Sequence, residues 1–242
     1  VKHARVLAVA VLALAGLAHA EAVPAPTQLD SMEQRMQPCV ACHGDQGRAT
    51  PEGYFPRIAG KPAGYLYNQL LNFRDGRRSH AVMTYLLERQ TNAYLREMAD
   101  YFAGLHPPYP APPATDASAA QLSRGEALVR RGDTARQLPA CAACHGETLT
   151  GVLPATPGLV GLPRDYLTAQ LGAWQAGSRR ATAPDCMATL ARRLTLDDLA
   201  AVTAWLAAQP VPADARPQAA YAGTLPMECG DLSGVARAGG AR

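Results

Sequence analysis

Lysine is nearly missing from this chain. Of 242 residues only Lys2 and Lys61 carry an ammonium side chain, so any basic surface must be built from arginine. The 23 basic residues stand against 20 acidic ones, a formal net charge of +3. That balance excludes the dense basic field of a nucleic-acid binder, and no nucleic-acid partner is expected. Long apolar runs are missing too: nothing after Leu17 is apolar enough to span a bilayer. Alternating polar and apolar residues, the mark of half-buried strands, are also lacking. The expectation is a helical protein.

The N-terminus reads as a secretory signal peptide over residues 1–20. Lys2 and Arg5 precede the apolar run Val6 to Leu17, and Ala18-His19-Ala20 gives a small-x-small cleavage pattern with Glu21 as the first mature residue. An uncleaved anchor is the alternative, but the run is short for a bilayer span. Removing Lys2 and Arg5 leaves 21 bases against 20 acids, a formal +1. The expected compartment is the periplasm, where disulfides persist.

Six cysteines are present, and four of them fall in one pattern used twice. Cys39-Val40-Ala41-Cys42-His43 and Cys141-Ala142-Ala143-Cys144-His145 both read Cys-x-x-Cys-His, the attachment pattern of c-type haem. Residues i and i+3 share one face of a helical turn, so both thiols reach the same side of a flat macrocycle. The adjoining histidine then lies under the iron. A zinc site needs four nitrogen or sulfur ligands together, which neither motif supplies alone. A thioredoxin-like redox pair needs a βαβ setting, and the surroundings here are helical and broken by proline. Two covalently bound haems are therefore expected, held by Cys39, Cys42 and His43, and by Cys141, Cys144 and His145.

The motifs belong to an internal duplication. Pro56-Arg57-Ile58-Ala59-Gly60, Tyr65-Leu66, Gln69-Leu70, Phe73 and Gly76-Arg77-Arg78 recur as Pro157-Gly158-Leu159-Val160-Gly161, Tyr166-Leu167, Gln170-Leu171, Trp174 and Gly177-Ser178-Arg179. Leu66, Leu70 and Phe73 form an apolar stripe at helical spacing, as do Leu95, Met98, Phe102 and Leu105, and again Leu199, Val202 and Leu206. Thr195 with Asp198 predicts a capping box; Thr91 stands in the same place, but Tyr94 cannot complete one. Brief helices are expected over 31–36 and 123–131, ahead of the two motifs. The run His106 to Pro113, rich in proline, predicts an extended, semi-rigid spacer. The expected organisation is a first domain over 21–106, a linker over 107–118, a second domain over 119–209 and a tail over 210–242. The last ten residues of that tail read as disordered.

The sixth iron ligand separates a carrier from an enzyme. Methionine closes the coordination sphere and raises the potential, whereas an open position admits peroxide or gas. Met83 and Met187 stand at equivalent places before the last helix of each half, on expected loops, and are the candidate ligands opposite His43 and His145. Met98 lies on an apolar stripe and reads as core. Met32, Met36 and Met227 have no counterparts in the other half. His80, three residues before Met83, competes with it; the second half has Ala181 or a neighbour there.

Other residues have two readings each. The carbonyl of Pro56 or Pro157 is placed to accept the Nδ1 proton of the motif histidine, or these are plain turn prolines. Arg77-Arg78 and Arg179-Arg180 neutralise haem carboxylates, dock a partner, or form solvated helix ends. Cys186 and Cys229 are left over in an oxidising compartment and are expected to pair, pinning the tail across the Met187 segment.

These motifs together resemble the dihaem cytochrome c4 family, within the class I cytochromes c, from about Met32 to Gln209. The resemblance implies an all-α fold of two tandem class I cytochrome c domains joined by a Pro-rich linker, His/Met ligation of both irons, and one-electron transfer in the periplasm. It implies redox partners such as a terminal oxidase, a quinol–cytochrome c reductase or a periplasmic dehydrogenase, with peripheral membrane association in some members. Cys186, Cys229 and the single methionine of the first loop depart from the common pattern. The alternative from another class is a dihaem peroxidase-like enzyme with one open haem site, for which His80 or Glu88 would supply the acid/base group. Thiol titration of the unfolded, unreduced protein checks the remaining cysteines: no free thiol is expected, and two would exclude the Cys186–Cys229 pair.

Overall fold

The computed structural model describes residues 31–232; the expected signal peptide, its cleavage at Ala20 and the expected disorder of 233–242 lie outside them. Chain order begins with α1 (Met32–Arg35) and α2 (Gln37–His43), which carries the first motif. Ser31 caps α1 in a complete capping box with Gln34, as a serine followed three residues on by glutamine allows. Next come α3 (Ala63–Arg74), α4 (Ala81–Leu87) and α5 (Asn92–Ala103). Residues 105–118 contain no helix or strand, in keeping with their prolines.

The second half repeats the plan with α6 (Ala119–Arg130), α7 (Cys141–His145), α8 (Arg164–Gln175), α9 (Cys186–Ala191) and α10 (Leu196–Ala207). Helix α6 starts four residues before the expected Ser123, because Ser118 accepts a hydrogen bond from the Gln121 amide and sets the N-terminus. It stops at Arg130 and does not feed the motif directly, since Gly132 turns the chain at φ +72°. Two short strands, β1 (Gly151–Val152) and β2 (Thr156–Pro157), pair antiparallel with Gly151 opposite Pro157. They are the only sheet among the described residues, and too short to leave an alternating pattern in the sequence.

Each half has its own core. In the first, Met36, Leu66, Phe73, Leu95, Met98 and Phe102 are buried together, so Met98 is core as its stripe implies, and Met36 joins it. In the second, Leu128, Leu149, Leu167, Val202, Trp205 and Leu206 form the equivalent cluster. Helix α10 carries the expected capping box of Thr195 and Asp198, and Thr91 caps α5 with its hydroxyl alone. Buried Asp198 also accepts from Arg124 at 2.8 and 3.0 Å and from Arg136, and these guanidinium groups hold its carboxyl far below the usual range despite burial.

Both halves lie in one compact unit that begins at Ser31. Their seam is a crossed pair of equivalents. Arg78 donates to its own Gln69 at 3.0 Å and across the seam to Gln170 at 2.7 Å and the Tyr166 hydroxyl at 3.4 Å. Arg179 donates to its own Gln170 at 2.7 Å and across to Gln69 at 3.0 Å and the Tyr65 hydroxyl at 3.3 Å. Each guanidinium stacks on the aromatic ring of its own half, Phe73 at 4.5 Å and Trp174 at 3.8 Å. The backbones at Arg78 and Arg179 form an antiparallel bridge, and the Arg180 amide donates to the Arg77 carbonyl at 2.7 Å. The linker lies back on the first half, where Arg57 donates to the carbonyls of Pro107 and Pro108 and stacks on Tyr109.

No helix among the described residues is long and apolar enough to cross a membrane. Helices α6 and α10 approach closely at Gly125, where an added Cβ would lie 2.2 Å from the Ala201 carbonyl oxygen and 2.7 Å from the Trp205 Cβ. Gly125→Ala should therefore destabilise the second half by about 2 kcal/mol through overpacking, read as a lower denaturation midpoint.

Candidate haem centres

The two motif histidines are built alike. Short helix α2 ends in His43 and α7 ends in His145, and in each case glycine follows with positive φ, 75° at Gly44 and 85° at Gly146. A side chain at Gly44 would strike the Ala49 carbonyl oxygen, and one at Gly146 the Gln218 amide, so only glycine permits the turn. Both histidines are buried. Their Nδ1 atoms lie 2.8 Å from the Pro56 carbonyl and 2.7 Å from the Pro157 carbonyl. A carbonyl only accepts, so the proton sits on Nδ1 and the Nε2 lone pair is left for a metal. The structure thus selects the positioning reading of both prolines over the plain turn. Burial is the main influence lowering both imidazole pKa values, which favours the neutral, ligating form; the carbonyls oppose it, while Arg78 and His80 add to it at His43 and Lys61 at His145.

The thiols Cys39, Cys42, Cys141 and Cys144 are unpaired and partly buried. Burial raises the pKa of Cys39 and Cys144, and pushes that of Cys141 up to about 11. A redox-active Cys-x-x-Cys needs the opposite shift. Among the described residues no three His, Cys, Asp or Glu side chains come together to hold a metal ion, so a zinc cluster finds no support. What the second half does hold is a cavity of about 180 Å³ lined by Cys141, Cys144, His145 and Met187, with walls dominated by apolar side chains such as Leu167 and Leu206. Two thiols, a neutral imidazole and a thioether around an apolar slot fit a c-type haem.

In the first half, Cys39, Val40 and Met83 all pack against the core of α3 and α5. Both candidate methionines lie on short helices and not on loops: Met83 in the first turn of α4, Met187 second in α9. The Asp185 side chain starts α9 by accepting from the Ala188 amide at 2.9 Å. His80 is the N-cap residue of α4; its Nε2 lies 3.4 Å from the Tyr54 hydroxyl and its buried Nδ1 has no partner. Glu88, the other acid/base candidate, pairs loosely with Arg89 at 3.5 Å.

Cys186 and Cys229 are joined as a disulfide, 43 residues apart in sequence. With it the tail closes over the second cavity, to whose wall Leu225, Met227 and Cys229 contribute. The Gly230 amide donates to Pro184 at 2.9 Å, the Thr182 amide to Asp231 at 3.0 Å, and Gln218 pairs with β1. The separation between equivalents grows from 101 at Arg78 and Arg179 to 104 at Met83 and Met187, so the second half has three extra residues where the tail is tied. Lys61, absent from every sequence-based candidate set, also lines this cavity. Its signal was its rarity, together with Leu162 at the matching place in the second half.

No family model matches the chain. It is 42% identical over 209 residues to the thiosulfate dehydrogenase electron acceptor of Thiomonas intermedia, covering 86% of this chain and 92% of that protein. It is 32% identical to cytochrome c4 of Pseudomonas aeruginosa, over 81% of this chain and 92% of the relative. Among solved structures, a thiosulfate dehydrogenase of Marichromatium purpuratum aligns with a TM-score of 0.63 at 37% identity, over 71% of this chain and 36% of that one. Reduced cytochrome c4 of Pseudomonas stutzeri aligns with a TM-score of 0.62 at 28% identity, over 72% of this chain and 95% of that one. The chain belongs to the dihaem cytochrome c4 family, an all-α electron-transfer protein of tandem class I design that carries two covalently bound c-type haems.

Proposed function

We propose that the chain is the periplasmic electron acceptor of a thiosulfate dehydrogenase, passing single electrons on to a further acceptor such as a terminal oxidase. Cys39 and Cys42, and Cys141 and Cys144, would hold the two haems, with His43 and His145 as proximal ligands and Met83 and Met187 opposite them. Bound there, each haem would supply a one-electron couple; the chain does no bond chemistry of its own. The observation that carries this reading is the convergence of Cys141, Cys144, His145 and Met187 on one apolar cavity. Each imidazole keeps its proton on Nδ1, donated to a carbonyl, which leaves Nε2 for the iron. Thioether sulfur is neutral and soft, and favours the reduced iron.

The dehydrogenase is favoured over other donors by similarity. A relative named as such an acceptor is 42% identical across 92% of its length, and about a third of a solved thiosulfate dehydrogenase chain has this fold at 37% identity. The domain limits of this reading are those expected from the sequence, 21–106 and 119–209, with the linker at 107–118. Export to the periplasm rests on the signal-like residues 1–20 and suits the Cys186–Cys229 disulfide.

Two measurements follow. The purified haem-loaded protein, mixed with a thiosulfate dehydrogenase and thiosulfate, should show growth of the reduced haem bands at a rate set by dehydrogenase concentration; no reduction above the dehydrogenase-free control would remove this partner. Carbon monoxide should leave the reduced wild-type spectrum unchanged, whereas Met187→Ala should open about half of the haem to it and lower one midpoint potential. An unaltered Met187→Ala spectrum would exclude Met187 as a ligand.

A further inference from the structure

Four cations gather at the seam without a counter-charge. Arg57, Lys61, Arg78 and Arg179 form no ion pair with any carboxylate among the described residues. Arg78 and Arg179 have neutral glutamine and tyrosine acceptors, and Arg57 has carbonyls. The Lys61 ammonium makes no hydrogen bond among the described residues, and the residue is 8% exposed. An isolated buried charge costs several kcal/mol, so such a group persists where an anion offsets it or where it loses its proton.

Lys61 sits just before α3, in the first half, yet it lines the cavity of the second half alongside His145. Its charge acts on His145 and is not among the influences on His43. The groups that act on it are Tyr166, Arg57 and Arg179, with Tyr65 and Gln69 on the same cavity wall; the two carboxylates of that wall, Asp185 and Asp231, are engaged by the amides of Ala181, Ala188 and Thr182. Burial, the chief cause, brings its pKa down to about 8, so the ammonium form still predominates at neutral pH. The duplication supplies an internal control, because Leu162, buried and apolar, stands where the second half would need its own lysine.

We infer that Lys61 is a cross-seam charge for the second haem: the first half contributes the ammonium that meets the carboxylates and iron charge of the haem held by Cys141, Cys144 and His145, and it sets that haem's potential apart from the first. Reduction adds one electron to Fe(III) and lowers the site's charge by one. A nearby positive charge favours the reduced state, so Lys61 raises the potential of the second haem. With Leu162 at the matching place, the first haem gains no such contribution.

The inference rests on the presence of two haems, not on the identity of their donor. The test is an optical redox titration of the full, haem-loaded protein and of Lys61→Met, with Lys61→Arg and Lys61→Gln as companions. In Lys61→Met one of the two midpoints should fall by about a tenfold change in the reduction constant, or about 59 mV for one electron, while the other stays. Lys61→Gln should behave as Lys61→Met does, which separates charge from packing, and Lys61→Arg should retain most of the wild-type value. Two unmoved midpoints, or two that fall together, would overturn the assignment, as would Lys61→Arg falling as far as Lys61→Met. A haem stain on a denaturing gel is read first: protein without covalent haem would defeat the haem assignment itself, a different failure from an unmoved potential.

Discussion

The crossed pair Arg78 and Arg179 is the interaction on which the arrangement of the two halves depends. Each guanidinium is shared between its own glutamine and the equivalent glutamine across the seam, so neither half can satisfy its arginine fully alone. Arg179 is buried and its proton affinity is lowered, first by burial and then by the nearby Arg78. Two like charges held this close repel, and the neutral glutamine and tyrosine oxygens offset part of that cost. Tyr65 and Gln69 of α3 and Tyr166 and Gln170 of α8 place this seam along the wall of the second cavity. The same contact therefore joins the halves and shapes a cofactor site.

A duplication starts symmetric, and the departures from symmetry here collect on one side. Lys61 faces Leu162, Tyr94 faces Asp198, and three extra residues precede Met187. The disulfide and the tail that it ties down belong to the second half as well. Asn68 of the first half donates to the Asp231 carbonyl at 2.8 Å, so the tail also closes part of the seam. The first half keeps a barer surface: Val82, Tyr85 and Leu86 on α4 are exposed, as is Tyr54. Burial and nearby positive charge both favour a reduced iron, and at the second cavity the tail adds burial while Lys61 adds charge.

Much of this was legible in the sequence because it depends on local spacing. The motif turns, the apolar stripes of α3, α5 and α10, the Thr195 box and the carbonyls of Pro56 and Pro157 all follow from residues near one another in the chain. The seam was not legible. Arg78 and Arg179 read equally well as solvated helix ends, because a bond to a glutamine 92 residues away leaves no periodic trace. Lys61 was missed for a related reason: it sits in one half and serves the other, and a comparison of equivalent positions ranks it as a mere mismatch. The placement of Met83 and Met187 on short helices also depends on context, since α9 begins where Asp185 caps it.

The held protons of these centres suit electron transfer. A peroxidase-like centre needs a group that gives and takes a proton beside an open iron position. At the second site, the Nδ1 proton of His145 is held by a carbonyl, the thiols are committed to the macrocycle on the haem reading, and Asp185 is occupied capping α9. Lys61, on the wall of the same cavity, is an electrostatic neighbour of His145. The first site has His80, but its Nε2 is within reach of Tyr54 and Glu88 lies at the far end of α4. Fixed charges and held protons suit a site that must change its electron count while moving few atoms.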